Sequence, residues 1–390
     1  MKTISLLTIF TGLIFAVCFN CKEENTEAEP MKYTNVEEDI VVIDLEKLQP
    51  FHGSLYDSLK LCSEFVAIGK ERMELNGWEN YKVDRNGNFL IYNVFTQQVY
   101  LKDRHGRKLR NIGCQGSRLD KGEYFEMYSA SVSVGNSEIL VLNPGGQIFR
   151  YGYDGLFKNY LDYTKYITGG NVGKICGNIV QDAMYLDDSG DILLHYPWWV
   201  GAGRSKYLIL DKSDRVVAEK CMLQDFEGNP ESGVAMTGFS SYLYDGNVHV
   251  VNLSDTVYQI KERKFYPKYV FKQKYPVGKL VDSLGKDVDI FNIGNTPVYE
   301  FELVETDQYL IFKYMTINIR PYSYRKTNYG LYDKHQKKSY RLNNGNMTFH
   351  TKDSISIMNI LFGEENKGEY YLRMKKGDYD SYNVVRIYPQ

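Results

Sequence analysis

Little net charge is carried by this chain: 47 Lys and Arg stand against 49 Asp and Glu in 390 residues, a formal charge of −2. Binding a polyanion through bulk field needs a basic excess, so nucleic acid is not an expected partner. The one basic cluster, Lys334-His335-Gln336-Lys337-Lys338, falls where a turn is expected and reads as solvated. Motifs that announce a reaction are missing as well. The chain has no Gly-x-Ser-x-Gly elbow, no His-Glu-x-x-His helix and no Gly-x-x-x-x-Gly-Lys phosphate loop. Of the 6 cysteines, Cys62, Cys114, Cys176 and Cys221 are too far apart for zinc spacing and read as small buried hydrophobes. A disulfide among them suits an oxidising compartment, but spacing assigns no connectivity. No apolar run reaches the roughly 20 residues of a membrane-spanning helix.

The apolar segment Ile4 to Val17 has the length of a signal-peptide core, and Cys18-Phe19-Asn20-Cys21 follows it. A redox or metal reading of that Cys-x-x-Cys fails, because it ends a segment that is removed. The acidic, unpatterned stretch Lys22-Glu23-Glu24-Asn25-Thr26-Glu27-Ala28-Glu29-Pro30 comes next. The organisation expected is a signal peptide over 1–20, a flexible tether over 21–38 and one large domain over 39–390.

What the chain has in quantity is hairpin grammar. Short apolar runs flank an acidic turn with glycine at Val83-Asp84-Arg85-Asn86-Gly87-Asn88-Phe89-Leu90, at Tyr185-Leu186-Asp187-Asp188-Ser189-Gly190-Asp191-Ile192, and at Tyr244-Asp245-Gly246-Asn247. The 34 Tyr suit half-buried strands. A hairpin cannot bury its own faces, so copies must stack, and radial stacking gives a propeller. Residues 81–113 read as a four-stranded meander. Second strands recur at Ile139–Asn143, Ile192–Tyr196, Val248–Asn252 and Tyr309–Met315, and a last unit begins near Ser354 and ends with Asn383–Tyr388. The fold expected is all-β: a six-bladed β-propeller of four-stranded antiparallel blades, closed by an N-terminal strand. Ile40–Leu45 is the expected closing strand, beside Asn383–Tyr388, because closure removes two exposed edges.

Together with the cysteine at the signal's end, the Val83-Asp84…Gly87-Asn88 repeat, Ile112-Gly113-Cys114-Gln115-Gly116…Gly122-Glu123-Tyr124 and Ser254-Asp255-Thr256-Val257-Tyr258 resemble the six-bladed, NHL-like propeller lipoproteins of Bacteroidota. In the glycine-rich segment, Ser117-Arg118-Leu119-Asp120-Lys121 replaces the usual family sequence, so no role transfers to that loop. The resemblance implies lipidation at Cys21, where polar sequence begins, and an outer-membrane lipid anchor. Through the acidic tether it also implies display outside the cell.

Antiparallel alternation places every loop between second and third strands at the end that carries the connections between blades. Two such loops are enlarged: Pro197 to Ser205, with Trp198, Trp199 and Arg204, and Ile317 to Thr327, with Arg320, Tyr322, Tyr324 and Arg325. Aromatic rings and arginine forks suit a glycan or peptide. The same residues suit a hydrophobic plug and a solvated arch equally well. Half-burying two indoles yields roughly 5 kcal/mol gross, against an association cost of about 4–15 kcal/mol, so the arginines or many copies are needed for a tight site. The function expected is a noncatalytic, monomeric binding module on the cell surface. The alternative is a metal-assisted hydrolase or lyase, with Asp182, Asp287 and Glu300 approaching a calcium site at the channel mouth. No cofactor can be assigned. His195 and His249 fall in second strands and read as interior imidazoles.

Overall fold

Aspartate at the end of a strand makes the turns that divide this chain. Asp84 Oδ1 accepts the backbone N–H of Asn86 at 2.7 Å and of Asn88 at 2.8 Å. Gly87 between them takes the left-handed conformation, φ 75°. Asp103 serves His105 and Arg107 in the same way, Asp211 serves Ser213 and Arg215, and Asp333 serves His335 and Gln336. A short carboxylate that satisfies the turn's own donors explains why all four are buried. At Asp245-Gly246 both residues are left-handed, φ 50° and 70°, the two-residue turn whose twist matches its flanking strands.

The computed structural model describes residues 40–55, 58, 61–65, 67–68, 71–72, 74–76, 79–84, 86–127, 129–133, 137–143, 146–166, 180, 182–186, 189–196, 198–199, 206–221, 235–236, 240–251, 255–273, 298–318, 324–343, 360–366, 369–375 and 381–389. The expected signal segment, the tether and Cys21 lie outside these residues, as do Arg204, Arg320, Tyr322 and Asp287.

The protein is a β-propeller. Blade I comprises Glu79–Val83, Phe89–Asn93, Gln98–Lys102 and Lys108–Asn111. Blade II comprises Ser129–Val132, Glu138–Asn143, Gln147–Gly152 and Phe157–Asp162. Blade III comprises Asp182–Tyr185, Ile192–Tyr196, Lys206–Leu210 and Val216–Cys221. Blade IV comprises Ser240–Tyr244, Asn247–Val251, Thr256–Lys261 and Lys264–Lys272. Blade V comprises Val298–Glu305, Tyr309–Asn318, Tyr324–Asp333 and Lys338–Leu342. Each is an antiparallel meander of consecutive strands. Five blades form in this way, one fewer than the six expected. Apart from short two-stranded pairings, one further sheet is composite: Ile360–Asn366, Glu369–Lys375 and Ser381–Pro389 are completed by the N-terminal Leu61–Phe65, with Glu74–Asn76 also paired to Ser381–Pro389.

That pairing corrects one expectation. The closing strand is Leu61–Phe65, antiparallel to Ser381–Pro389 with Phe65 opposite Val385. The expected closer, Ile40–Leu45, instead sends Val41–Asp44 along the outer edge of blade IV, parallel to Lys264–Lys272. Gln49–Pro50 then adds in parallel to Lys338–Leu342 of blade V. The N-terminal segment therefore straps the outer edges of two blades before it reaches the composite sheet. Alternation fixes which residues hold the strap: Ile43 is fully buried while Val42 is 60 % exposed.

Each apolar cluster lies across a seam between sheets. Leu90, Leu101 and Ile112 of blade I pack with Ala130, Val141 and Phe149 of blade II. Leu140 and Ile148 of blade II meet Ala183, Ile192 and Leu208 of blade III, and Leu193 and Ile209 of blade III meet Val248 and Ile260 of blade IV. Phe271 of blade IV stacks on Phe301 of blade V at 4.4 Å, with Ile43, Leu45 and Leu48 of the strap in the same cluster. Val384 of the composite sheet joins Tyr81, Phe89 and Ile91 of blade I, and Ile360–Asn366 of that sheet adjoins Val298–Glu305 of blade V, which completes the ring.

Ile43→Ala empties volume in the seam between blades IV and V and should cost about 2–5 kcal/mol in equilibrium urea unfolding. Val42→Ala, one residue away on the exposed side, should stay within about 0.5 kcal/mol. Equal losses would show that the strap is not anchored by its buried face.

Candidate functional site

Two ends of the ring are distinguished by their hydrogen bonds. At one end, loops between second and third strands bond to the connections between blades. Gln97, in the blade I loop, donates through Nε2 to Met127 O at 3.4 Å and accepts the Met127 N–H, in the connection to blade II. Tyr163, past the end of blade II, donates its N–H to Gly146 O at 2.8 Å and its hydroxyl to Asn143 O at 3.0 Å. Phe271 N–H donates to Asp255 O at 2.7 Å in blade IV. The opposite end carries the aspartate turns.

Trp198–Trp199 follows the same rule. The two residues form a short strand rather than a free loop tip, antiparallel to Ala235–Met236 in the connection between blades III and IV, with Trp198 opposite Met236. In blade V the enlarged loop is shorter than expected, because its strands run on to Asn318 and start again at Tyr324. Tyr324 and Arg325 are therefore strand positions, opposite Asn318 and Ile317, at the loop end of the blade. Arg320 and Tyr322, within 319–323, lie outside the described residues.

Two further aromatics at this end carry no motif that would single them out in the sequence. Phe95, 74 % exposed, sits in a turn whose backbone N–H groups at Phe95 and Thr96 are both received by Asn93 Oδ1 at 2.9 Å. Phe125, 68 % exposed, follows the paired segments Cys114–Gln115 and Glu123–Tyr124. The neighbouring Cys114 is exposed with a free thiol, which corrects its expected burial. Gly113 explains the packing beneath: it is left-handed, and a Cβ there would sit 2.5 Å from the Tyr151 hydroxyl.

Asp182, one of the expected calcium ligands, begins the first strand of blade III at the loop end, where its carboxylate accepts the Ser129 hydroxyl at 3.1 Å and its own strand's Ala183 N–H at 2.9 Å. Among the described residues no group of three or more His, Cys, Asp or Glu is placed to hold a metal ion. His195, opposite Asp182 in register, is buried against Tyr207 with ring centroids 5.1 Å apart.

The densest polar chemistry lies at the turn end, in the seam between blades IV and V. Glu305 ends the first strand of blade V with its side chain fully buried. Its Oε1 meets Lys334 Nζ at 2.7 Å and Lys268 Nζ at 3.1 Å and accepts the Tyr269 hydroxyl at 2.6 Å. Oε2 accepts the Tyr242 hydroxyl at 2.8 Å. Burial alone would raise the Glu305 carboxyl, but the two ammoniums and the hydroxyl hold it below the usual carboxylate range. Burial lowers Lys334, against the pull of Glu305. His249, stacked on Tyr242 at 4.8 Å, places Nδ1 3.1 Å from Asn247 O and Nε2 3.2 Å from Lys268 Nζ. A carbonyl only accepts, so Nδ1 carries the proton and Nε2 receives the ammonium. Burial first, and then the Lys268 charge, push His249 down to about 4.

Other seams at this end are tied more simply. Tyr153 of blade II donates to Asp84 of blade I, Tyr185 of blade III to Glu138 of blade II, and Arg263 of blade IV to Asp191 of blade III at 2.6 Å. Only the seam between blades IV and V gathers two lysines and a histidine around one acid, among the described residues.

No protein-family model and no curated protein matches this sequence. Among solved structures, a Bacteroides fragilis protein named "putative exported protein" superposes with TM-score 0.63 over 90 % of this chain and 99 % of its own, at 14 % identity. The Pan2 WD40 domain of Neurospora crassa gives TM-score 0.39 at 10 % identity over 79 % of this chain and 74 % of its own. The first likeness is one of fold. The second is too slight for that.

Two outcomes test the seam. The folded His249 pKa lies below the ordinary imidazole value of 6.5, so the unfolded state takes the proton first. The contribution is intact above about pH 6.5 and is lost as pH falls towards 4, by up to roughly 3 kcal/mol. His249→Gln should flatten that part of the curve of melting temperature against pH. Glu305→Gln leaves two ammoniums without their shared counter-charge and should cost about 3–5 kcal/mol in urea unfolding.

Proposed function

We propose that this protein is an exported, lipid-anchored binding module that takes a glycan or peptide at the loop end of the ring, without catalysing a reaction on it. The observation that carries this reading is the pairing of Trp198–Trp199 with Ala235–Met236, which joins an enlarged loop to an inter-blade connection at one end. A chain segment held by two backbone partners is a rigid mount for side chains that contact a ligand. Trp198, Trp199, Arg204, Arg320, Tyr322, Tyr324 and Arg325 are the contact residues of this proposal. Phe95 and Phe125 extend the aromatic character of the same end. A propeller suits the role, because a rigid ring carries variable loops without depending on them for its core.

Cys21 is the proposed lipid site, with the outer membrane as anchor and the domain facing outward. Cys21→Ala should abolish lipid labelling; labelling that persists moves the attachment to Cys18. Protease resistance of the domain on intact cells would place it on the periplasmic side.

The binding reading is tested by glycan and peptide arrays probed with the purified domain, with and without calcium. The Trp198→Ala, Trp199→Ala double variant should weaken binding of the captured ligand at least about tenfold and leave the melting temperature nearly unchanged, because the strand pairing it sits in is made by backbone groups. A large loss of stability with binding retained would make the indoles packing residues. Turnover of an array ligand that a chelator abolishes would replace the binding reading with a metal-assisted one.

A further inference from the structure

We propose that the turn end of the seam between blades IV and V is a second binding site, a subsite for a tetrahedral oxyanion held by Lys268 and Lys334 above Glu305. The inference is independent of the loop-end reading, since it uses the opposite end of the ring and different residues.

Charge is the first argument. Two ammoniums converge on one carboxylate oxygen, and the single negative charge of Glu305 neutralises one of them. His249 adds none, because its Nε2 lone pair is already turned to Lys268 and its proton to Asn247 O. The Tyr242 and Tyr269 hydroxyls also donate to Glu305, and being neutral they leave the charge count unchanged. Inside the seam one positive charge is left over, and the other carboxylate acting on Lys334 is that of Asp307, exposed at the rim. The leftover charge is not sealed in: the side chains of Lys268 and Lys334 are 24 % and 20 % exposed, while that of Glu305 is 0 % exposed. The surplus therefore faces solvent from a buried base.

Donor count is the second. An ammonium has three N–H groups. Lys334 gives two, to Glu305 and to Thr306 O at 2.5 Å. Lys268 shares one with His249 and faces Glu305 as an ion pair at 3.1 Å. Among the described residues no further hydrogen-bond acceptor meets either Nζ, so each has at least one donor left. Because both bind the same oxygen, the spare donors lie close enough to meet one small anion. Ammoniums bind as point charges, the mode in which lysine holds phosphate, and an oxyanion with several equivalent oxygens can meet both at once.

The walls are the third. The Tyr244 ring stands 4.1 Å from Lys334 Nζ and 4.7 Å from Lys268 Nζ, and its hydroxyl donates to Asp307 at 3.1 Å. Tyr244 thus restrains both ammoniums on the blade IV side. Asp307 is exposed at the rim and opposes an incoming anion through a solvent-screened field, which sets a modest affinity and supplies a handle for the test.

Isothermal titration of the full mature chain at pH 7 would use inorganic phosphate, inorganic sulfate, a sulfated monosaccharide and its unsulfated parent. Saturable binding is expected for an oxyanion and not for the uncharged sugar. Lys334→Gln should weaken it roughly tenfold. Asp307→Asn should tighten it roughly two- to threefold, and it keeps an amide oxygen for Tyr244 at an exposed position, so it tests the site even where the lysine variant folds poorly. Binding of the free ions identifies the ion itself as ligand; binding of the sulfated sugar alone identifies an ester on a larger molecule. No saturable binding in either the wild type or Asp307→Asn overturns the proposal, as does affinity that neither substitution changes.

Discussion

A four-stranded antiparallel sheet has two faces and can bury neither by itself, and that constraint organises this molecule. Each apolar cluster is a seam shared by two sheets, as where Phe271 of blade IV stacks on Phe301 of blade V. Closure follows from the same need, because an open series would leave a seam-forming face in water at each end. Val384 of the composite sheet supplies the apolar contact that blade I would otherwise lack. The N-terminal segment extends the logic to the outer edges, where Val41–Asp44 and Gln49–Pro50 cover backbone groups that blades IV and V would expose.

Seams also decide where polar chemistry gathers. The aspartate turns bring carboxylates to one end of every blade they close, and neighbouring blades answer with tyrosine or arginine, as Tyr153 does for Asp84 and Arg263 for Asp191. These are local, self-satisfied arrangements. In the seam between blades IV and V the carboxylate belongs to a strand end instead of a turn, so its lone pairs are not consumed by turn N–H groups. Glu305 is left to collect two lysines and two tyrosines from two blades. Burial makes that collection consequential: unpaired, any one of these charges would be costly in the seam.

What was legible in the sequence was what is local. The acidic turn with glycine is encoded within five residues, and the observed strands Phe89–Asn93, Ile192–Tyr196 and Gln147–Gly152 fall where alternation puts them. The end at which Trp198 and Trp199 emerge was also legible, since antiparallel order alone decides it. The closing strand was not. Ile40–Leu45 is the apolar run of the two, while Leu61–Phe65 carries Ser63 and Glu64, and edge pairing depends on which sheet edge is within reach of the folded chain. Strand length was misread at Tyr324 and Arg325 because the hairpin of blade V continues past the residues whose pattern marks a strand.

The ionic seam illustrates a deeper limit. His249, Lys268, Glu305 and Lys334 show no spacing that a motif could capture, and each reads alone as an ordinary strand or turn residue. Their meeting is a property of blade order: the outer strand of blade IV brings Lys268 to the first strand of blade V, and the turn after the third strand of blade V brings Lys334 back to it. A propeller makes such meetings at every seam, since each joins the strands of one blade to those of the next. Side-chain clusters of this kind are therefore assembled from residues far apart in sequence, and the aspartate turns that make the fold easy to read give no sign of them.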